Sequence, residues 1–180
     1  MNRPALPPIA SFIGCSNSGK TTLLEKVIAL LVERGYQVGT VKHHFHGDFD
    51  IDQPGKDSWR HSRAGAVSVA LSSPLRLAIV TRVDREVDVE EIIRHFPRPV
   101  DIVLTEGFKM GPWPKIEVNR VALGQPLMSS AEDHLVAVVT DHDVEAGVPR
   151  FHLEDAKGVA AFIEESFLKP GRAGRCFPGS

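Results

Sequence analysis

The sequence predicts an α/β fold of three layers: a mostly parallel sheet, with a short antiparallel excursion, between helices. Three observations carry this. Short apolar runs (Pro8–Ile13, Pro99–Thr105, Leu135–Asp141) alternate with longer stretches whose apolar residues recur at helical spacing. The first such run passes into the first helical stretch through Gly14-Cys15-Ser16-Asn17-Ser18-Gly19-Lys20-Thr21-Thr22, which fits G-x-x-x-x-G-K-[ST], a phosphate-binding loop that needs a strand before it and a helix after it. The runs Ala66–Leu71 and Leu75–Val80 are separated only by Ser72-Ser73-Pro74, too short a link for anything but antiparallel neighbours.

The elements follow in order. Residues 1–7 are Pro-rich and read as a loose arm. After the strand at 8–13 and the loop, Thr22–Arg34 places Leu23, Val27, Leu30 and Leu31 on one stripe with Leu24, Ile28 and Val32 beside it, and Gly35 ends the helix. Gln37–His43 is a second strand. Residues 44–58 form a polar loop with Gly47, Pro54, Gly55 and the acids Asp48, Asp50 and Asp52; a loop of that length in a compact domain usually carries function. Asp57 or Ser58 caps a short helix through Arg63, ended by Gly65. Beyond the antiparallel pair, Asp88 caps a helix through Phe96, closed before Pro97. The buried strand 99–105 runs into Glu106-Gly107-Phe108-Lys109. Pro114–Val118 is another strand, Leu135–Asp141 has the continuous apolar character of a parallel sheet, and Glu154–Leu168 is a last helix. The expected organisation is one nucleotide-binding domain, 1–168, of P-loop NTPase fold, followed by a disordered tail, 169–180.

Composition narrows the function classes. A net charge of −2 over 180 residues provides no basic field for nucleic acid. No apolar stretch approaches the length of a membrane span. The two cysteines, Cys15 in the loop and Cys176 in the tail, have neither zinc nor disulfide spacing, and a thiol inside a phosphate loop fits a reducing, cytoplasmic compartment.

The loop states its own chemistry. Gly14 allows a sharp turn out of the strand, the N–H groups from Cys15 to Gly19 form an anion nest, and Gly19 lets phosphate oxygens approach the main chain. Lys20 reaches the β- and γ-phosphates, the Thr21 hydroxyl is placed for Mg²⁺, and the helix beginning near Thr22 adds its positive pole. Mg²⁺ calls for a second hard oxygen at the carboxyl end of a neighbouring strand. Glu106 has that position, whereas Asp101 lies at the other end of the same strand. Asp141, following an apolar strand, either accepts from a guanine base or caps local backbone; the Asn-Lys-x-Asp form is absent, with Val138-Val139-Thr140-Asp141 in its place.

The loop from Lys42 to Asp52 admits three readings. Its histidines (His43, His44, His46) and acids suit a transition metal. It also suits a switch segment that brings Asp50 to Mg²⁺ and Lys42 to phosphate, or a polar surface loop. Lys56, Arg60, His61 and Arg63 follow as a local cationic surface, fit to grip a second anionic group or simply to be a solvated helix face.

Taken together, the phosphate loop, Val41-Lys42-His43, the segment Phe49-Asp50-Ile51-Asp52-x-Pro54-Gly55-Lys56-Asp57-Ser58-Trp59-Arg60-His61, Glu106-Gly107-Phe108-Lys109 and Lys115-Ile116-Glu117 resemble the MobB family of molybdopterin-guanine dinucleotide biosynthesis adaptor proteins. The resemblance spans about residues 9–168, and its most specific part is Asp50–His61. It implies a homodimeric GTP-binding protein with Mg²⁺, weak GTPase activity, and an accessory role beside the guanylyltransferase that joins GMP to molybdopterin. Molybdopterin is then a second candidate ligand. Two other functions compete: a P-loop kinase or ligase of dethiobiotin-synthetase type, marked by substrate-dependent ATP turnover, and a metal-insertion GTPase, marked by Ni²⁺ or Zn²⁺ uptake through His43, His44 and His46.

Overall fold

The central strand forms because five consecutive residues, Ile-Ala-Ser-Phe-Ile, can all be buried at once, which only the middle of a sheet covered on both faces offers. The computed structural model describes residues 5–44 and 52–169. The elements are β1 (Ile9–Ile13), α1 (Lys20–Glu33), β2 (Val38–Lys42), α2 (Asp57–Arg63), β3 (Ser68–Ser72), β4 (Leu77–Thr81), α3 (Val89–Arg94), β5 (Ile102–Glu106), β6 (Lys115–Val118), β7 (Leu135–Thr140), β8 (Arg150–His152) and α4 (Ala156–Ile163). They fall into two compact units, one comprising the chain to His43 and from Ile92 onward, the other His44–Glu91.

The first unit holds a six-stranded sheet in the order β2-β5-β1-β6-β7-β8, with every pairing parallel. This is the P-loop NTPase-like architecture expected. Phe12, Leu104, Ile116, Val118, Ala137 and Val139 meet Leu23, Val27 and Leu31 of α1 and Val159, Ala160 and Ile163 of α4 in one core. Under the opposite face, a side chain at Gly39 would lie 2.6 Å from the Phe96 ring, so that glycine lets the ring lie flat against β2.

The boundaries differ from expectation in four places. Helix α1 begins at Lys20, two residues early, because Gly19 is its N-cap. The antiparallel pair is present, but it starts two residues later at each strand: the turn needs four residues, with Ser73 N–H donating to the Arg76 carbonyl at 2.8 Å and Ser73 Oγ accepting from Arg76 N–H at 3.0 Å. Strand β8 was not expected. It has three residues and a single apolar one, Phe151, which packs on Phe162 at 5.6 Å between ring centroids; pairing with β7 supplies what propensity lacks. The last helix is α4 capped by Asp155, whose carboxylate accepts from Gly158 N–H at 2.9 Å, and it continues as a π-helical turn through Leu168.

The second unit contains α2 and the two-stranded sheet β3-β4, in register from Ser68 opposite Thr81 to Ser72 opposite Leu77. Leu71, Leu77 and Ile79 are more than half exposed on this hairpin. Among the described residues, no helix is long and apolar enough to cross a membrane.

Candidate nucleotide-binding site

Because all six strands run the same way, the segments that follow them emerge at one edge, where ligands of such sheets bind. In the first unit that edge collects the loop after β1, His43 after β2, Glu106 and Gly107 at the end of β5, Asn119 and Arg120 after β6, and Asp141 after β7.

The loop has the expected shape. Gly14 has φ +140°, and a side chain there would meet the Val118 carbonyl oxygen at 2.2 Å. Positive φ values at Asn17 and Gly19 coil the backbone back on itself as an anion nest requires. Ser18 is fully buried, its N–H donating to the Cys15 carbonyl at 3.3 Å, while Ser16 and Asn17 are exposed. Thr22 is exposed on the first turn of α1. The Lys20 ammonium folds back to the Cys15 carbonyl at 2.5 Å and to Ser18 Oγ at 3.4 Å. Burial pushes its pKa below the ordinary lysine value; Glu106 opposes that, while Lys109 and Lys42 add to it. A phosphate would reverse the balance, since an anion beside a partly desolvated ammonium favours its charged form.

Glu106 is where sequence position placed it. It ends β5 opposite Phe12 on one side and Lys42 on the other, and it is 9% exposed. The Thr21 hydroxyl donates to Glu106 Oε1 at 2.9 Å, and Lys42 Nζ stands 3.5 Å from Oε2. Two hard oxygens at the positive pole of α1 form a donor set that suits Mg²⁺. Asp101 sits at the opposite end of β5, where its carboxylate accepts from Gln37 N–H at 2.7 Å and fastens the start of β2. Gly107, at φ +96°, brings its backbone against His43, whose N–H donates to the Glu106 carbonyl at 2.9 Å and whose ring lies 5.0 Å from Phe108.

The family model of molybdopterin guanine dinucleotide synthesis protein B matches residues 9–141, which include all of this edge. The chain belongs to the MobB family. It is 37% identical, over 87% of its length and 88% of the other's, to the molybdopterin-guanine dinucleotide biosynthesis adapter protein of Haemophilus influenzae. It is 35% identical, over 90% and 94%, to the protein of that name from Escherichia coli. The crystal structure of Bacillus subtilis MobB superposes with a TM-score of 0.69 at 31% identity, covering 91% of this chain and 99% of that one.

In this MobB-family chain the remaining expected residues divide. Asp141 has local partners: its Oδ1 accepts from Val121 N–H at 2.8 Å and lies 3.4 Å from His142 Nδ1. The Val121 bond is the main reason its pKa is lowered. Lys56, Arg60, His61 and Arg63 belong to the second unit, on and just before α2, where Arg60 stands 3.7 Å from Asp57 and the Arg63 guanidinium lies over Trp59 at 5.4 Å. Asp50 and His46 lie outside the described residues. Among the described residues, no group of three His, Cys, Asp or Glu side chains is arranged to hold a metal ion.

Two further residues shape the edge without having been assigned roles from sequence. Glu117 is fully buried in β6 and accepts from Met128 N–H at 2.7 Å and Ser129 N–H at 3.0 Å; desolvation raises its pKa, and those two bonds oppose the rise. The Asn119 amide donates to the Gln125 carbonyl at 3.1 Å. Together they hold residues 125–129 beside the phosphate loop, where Cys15 Sγ lies 3.9 Å from Met128 Sδ. The available signal was the pattern Lys-Ile-Glu-Val: two charged residues within a strand that the topology then buries.

Proposed function

We propose that this chain is a GTP-binding adapter of molybdopterin-guanine dinucleotide biosynthesis, with weak GTPase activity, assisting the guanylyltransferase that joins GMP to molybdopterin. The observation that carries the proposal is the Lys20–Thr21–Glu106 constellation at the carboxyl edge of the sheet, in a chain of the MobB family. On binding, the loop N–H groups from Cys15 to Gly19 take the phosphate oxygens, and Lys20 swings from the Cys15 carbonyl to the β- and γ-phosphates. Thr21 and Glu106 would hold Mg²⁺; the ion supplies neutralisation of phosphate charge. Lys42, 3.5 Å from Glu106, balances the carboxylate on the other side. The guanine preference is supported by the relatives' names and by the place of Asp141 after β7 at the carboxyl edge of the sheet.

The basic side chains Lys56, Arg60, His61 and Arg63 are assigned to the partner transferase or to a pterin phosphate. Homodimer formation is assigned to the β3-β4 hairpin. An isolated two-stranded ribbon is marginal in water, and a second copy pairing across a two-fold axis would extend it; Leu77 and Ile79 are exposed on one face of the ribbon and Leu71 on the other. The setting proposed is cytoplasmic, following the free thiol of Cys15.

Calorimetric titration with GTP and with ATP, each with and without Mg²⁺, tests the reading. GTP preference with a Mg²⁺-dependent gain supports it. Equal affinities, or ATP turnover driven by a small carboxylic acid, would replace the adapter with a kinase or ligase.

A further inference from the structure

Arg120 follows β6, the strand that pairs with β1 on the side away from β5. Ile13 is opposite Glu117, and the Val118 carbonyl oxygen occupies the space a Gly14 side chain would need, so the chain leaves β6 pressed against the phosphate loop. Two residues on, Arg120 lays its guanidinium across Gly19: Nη2 is 3.3 Å from the point a Cβ there would occupy. Gly19 is the N-cap of α1, so this cation stands at the positive pole of a 14-residue helix. The macrodipole opposes a positive charge at that position. The residue is half-buried, and its Nε is buried without a hydrogen-bond partner among the described residues.

Among the described residues, no carboxylate pairs directly with it. Asp141 and Glu154 are within electrostatic range of Arg120, but Asp141 accepts from Val121 N–H and Glu154 is paired with Lys26 at 3.0 Å. Lys20, Lys42 and Lys109 are already close to one another around the same loop. A buried donor without a partner and a cation facing a helix N-terminus are both unfavourable in the free protein, and one anion lying between Arg120 and the loop relieves both.

We propose that Arg120 is a phosphate-binding residue, donating from its guanidinium to the phosphate chain of the bound nucleotide across Gly19 from Lys20. The assignment rests on the nucleotide reading above. Since Lys20 serves the β- and γ-phosphates and Arg120 lies over the glycine that precedes it, Arg120 contacts the part of the chain that nucleoside di- and triphosphates share.

The test titrates GTP, GDP and inorganic pyrophosphate into wild type, Arg120→Ala and Arg120→Lys by calorimetry, and records melting of the ligand-free proteins. The expected result is a loss of roughly ten-fold or more for Arg120→Ala, by a similar factor for all three ligands. Arg120→Lys recovers part of it, and the melting temperature of the free protein does not fall, since a charge opposed to the helix pole has been removed. Unchanged affinities would overturn the assignment. So would a loss confined to the nucleotides with pyrophosphate binding intact, or a fall in melting temperature that accounts for the weaker binding. If wild type binds pyrophosphate but neither nucleotide, the nucleotide reading fails, and the pyrophosphate series still decides the role of Arg120.

Discussion

Replacing Gly14 with Ala tests whether β6 truly closes against the phosphate loop. The new Cβ would sit 2.2 Å from the Val118 carbonyl oxygen and 3.1 Å from Ser18 Oγ. Ordinary carbon–oxygen contacts begin near 3.3 Å, so β1 and β6 would have to separate by about 1 Å. Neither strand can do this freely: Phe12 pairs with Ile116 and Ile13 with Glu117, and Asn119 N–H donates to the Val139 carbonyl at 2.9 Å. A side chain at positive φ costs about 1–2 kcal/mol, and overpacking a tight site adds about 1–3 kcal/mol. The sum, about 2–5 kcal/mol, corresponds to a fall in Tm of about 4–20 °C in a chain of this size. Gly35→Ala is the matched control, having φ +92° with nothing within 4 Å of the added methyl. It should lose only the backbone part, about 1–2 kcal/mol. Thermal melting of both variants isolates the clash as their difference. If Gly14→Ala melts no lower than Gly35→Ala, Val118 does not press on Gly14, and the placement of Arg120 falls with it.

Four further outcomes are expected. Lys20→Ala should weaken GTP binding by about 2–4 kcal/mol in a titration, because a charge-assisted contact to a multiply charged phosphate is lost; unchanged affinity would remove the phosphate site. Glu106→Gln should abolish most of the Mg²⁺-dependent gain in nucleotide affinity, whereas Asp101→Asn should lower stability by about 1 kcal/mol through its Gln37 bond and leave that gain intact; the reverse order would contradict the metal assignment. Glu117 has its pKa raised in the folded protein, so its contribution to stability is greatest below the unfolded carboxyl range and diminishes as pH rises through the folded value. The Tm advantage of wild type over Glu117→Gln should therefore shrink between pH 4.5 and neutrality, and an advantage that grows would refute burial as the dominant effect. Arg60→Ala with Arg63→Ala should reduce capture of the guanylyltransferase while shifting GTP affinity by no more than about 0.5 kcal/mol, and intact capture would return α2 to an ordinary solvated face.

Much of the site was legible because its chemistry is local. A phosphate loop is nine consecutive residues between a strand and a helix, so Gly14, Gly19, Lys20 and Thr21 could be given positions from spacing alone. Glu106 was found by direction: in a parallel sheet the far end of a buried strand faces the loop, and Asp101 at the near end does not. Spacing alone allows Asp141 either base recognition or backbone capping, and the structure supplies the capping contact that spacing could not, the Val121 N–H donated from after a different strand. The hairpin was legible as a pair of strands; its four-residue turn was not, because Ser73 makes the turn through its own side chain.

The sequence by itself determined the elements other than β8, and the phosphate chemistry, because helical period, strand runs and the glycine-lysine loop act over a few residues at a time. Tertiary structure decided the rest. The order β2-β5-β1-β6-β7-β8 brings Glu106 to Thr21 across 85 positions, a pairing no local pattern records. It also inverts the meaning of Lys115-Ile116-Glu117-Val118: the same alternation would mark a half-exposed edge strand, but between β1 and β7 both charges are buried and must find backbone partners, Lys115 at the Asp133 carbonyl and Glu117 at Met128 and Ser129. Arg120 gains its place only from that burial, since its nearness to Gly19 is set by where β6 ends against β1 and not by anything in its own neighbourhood of the chain.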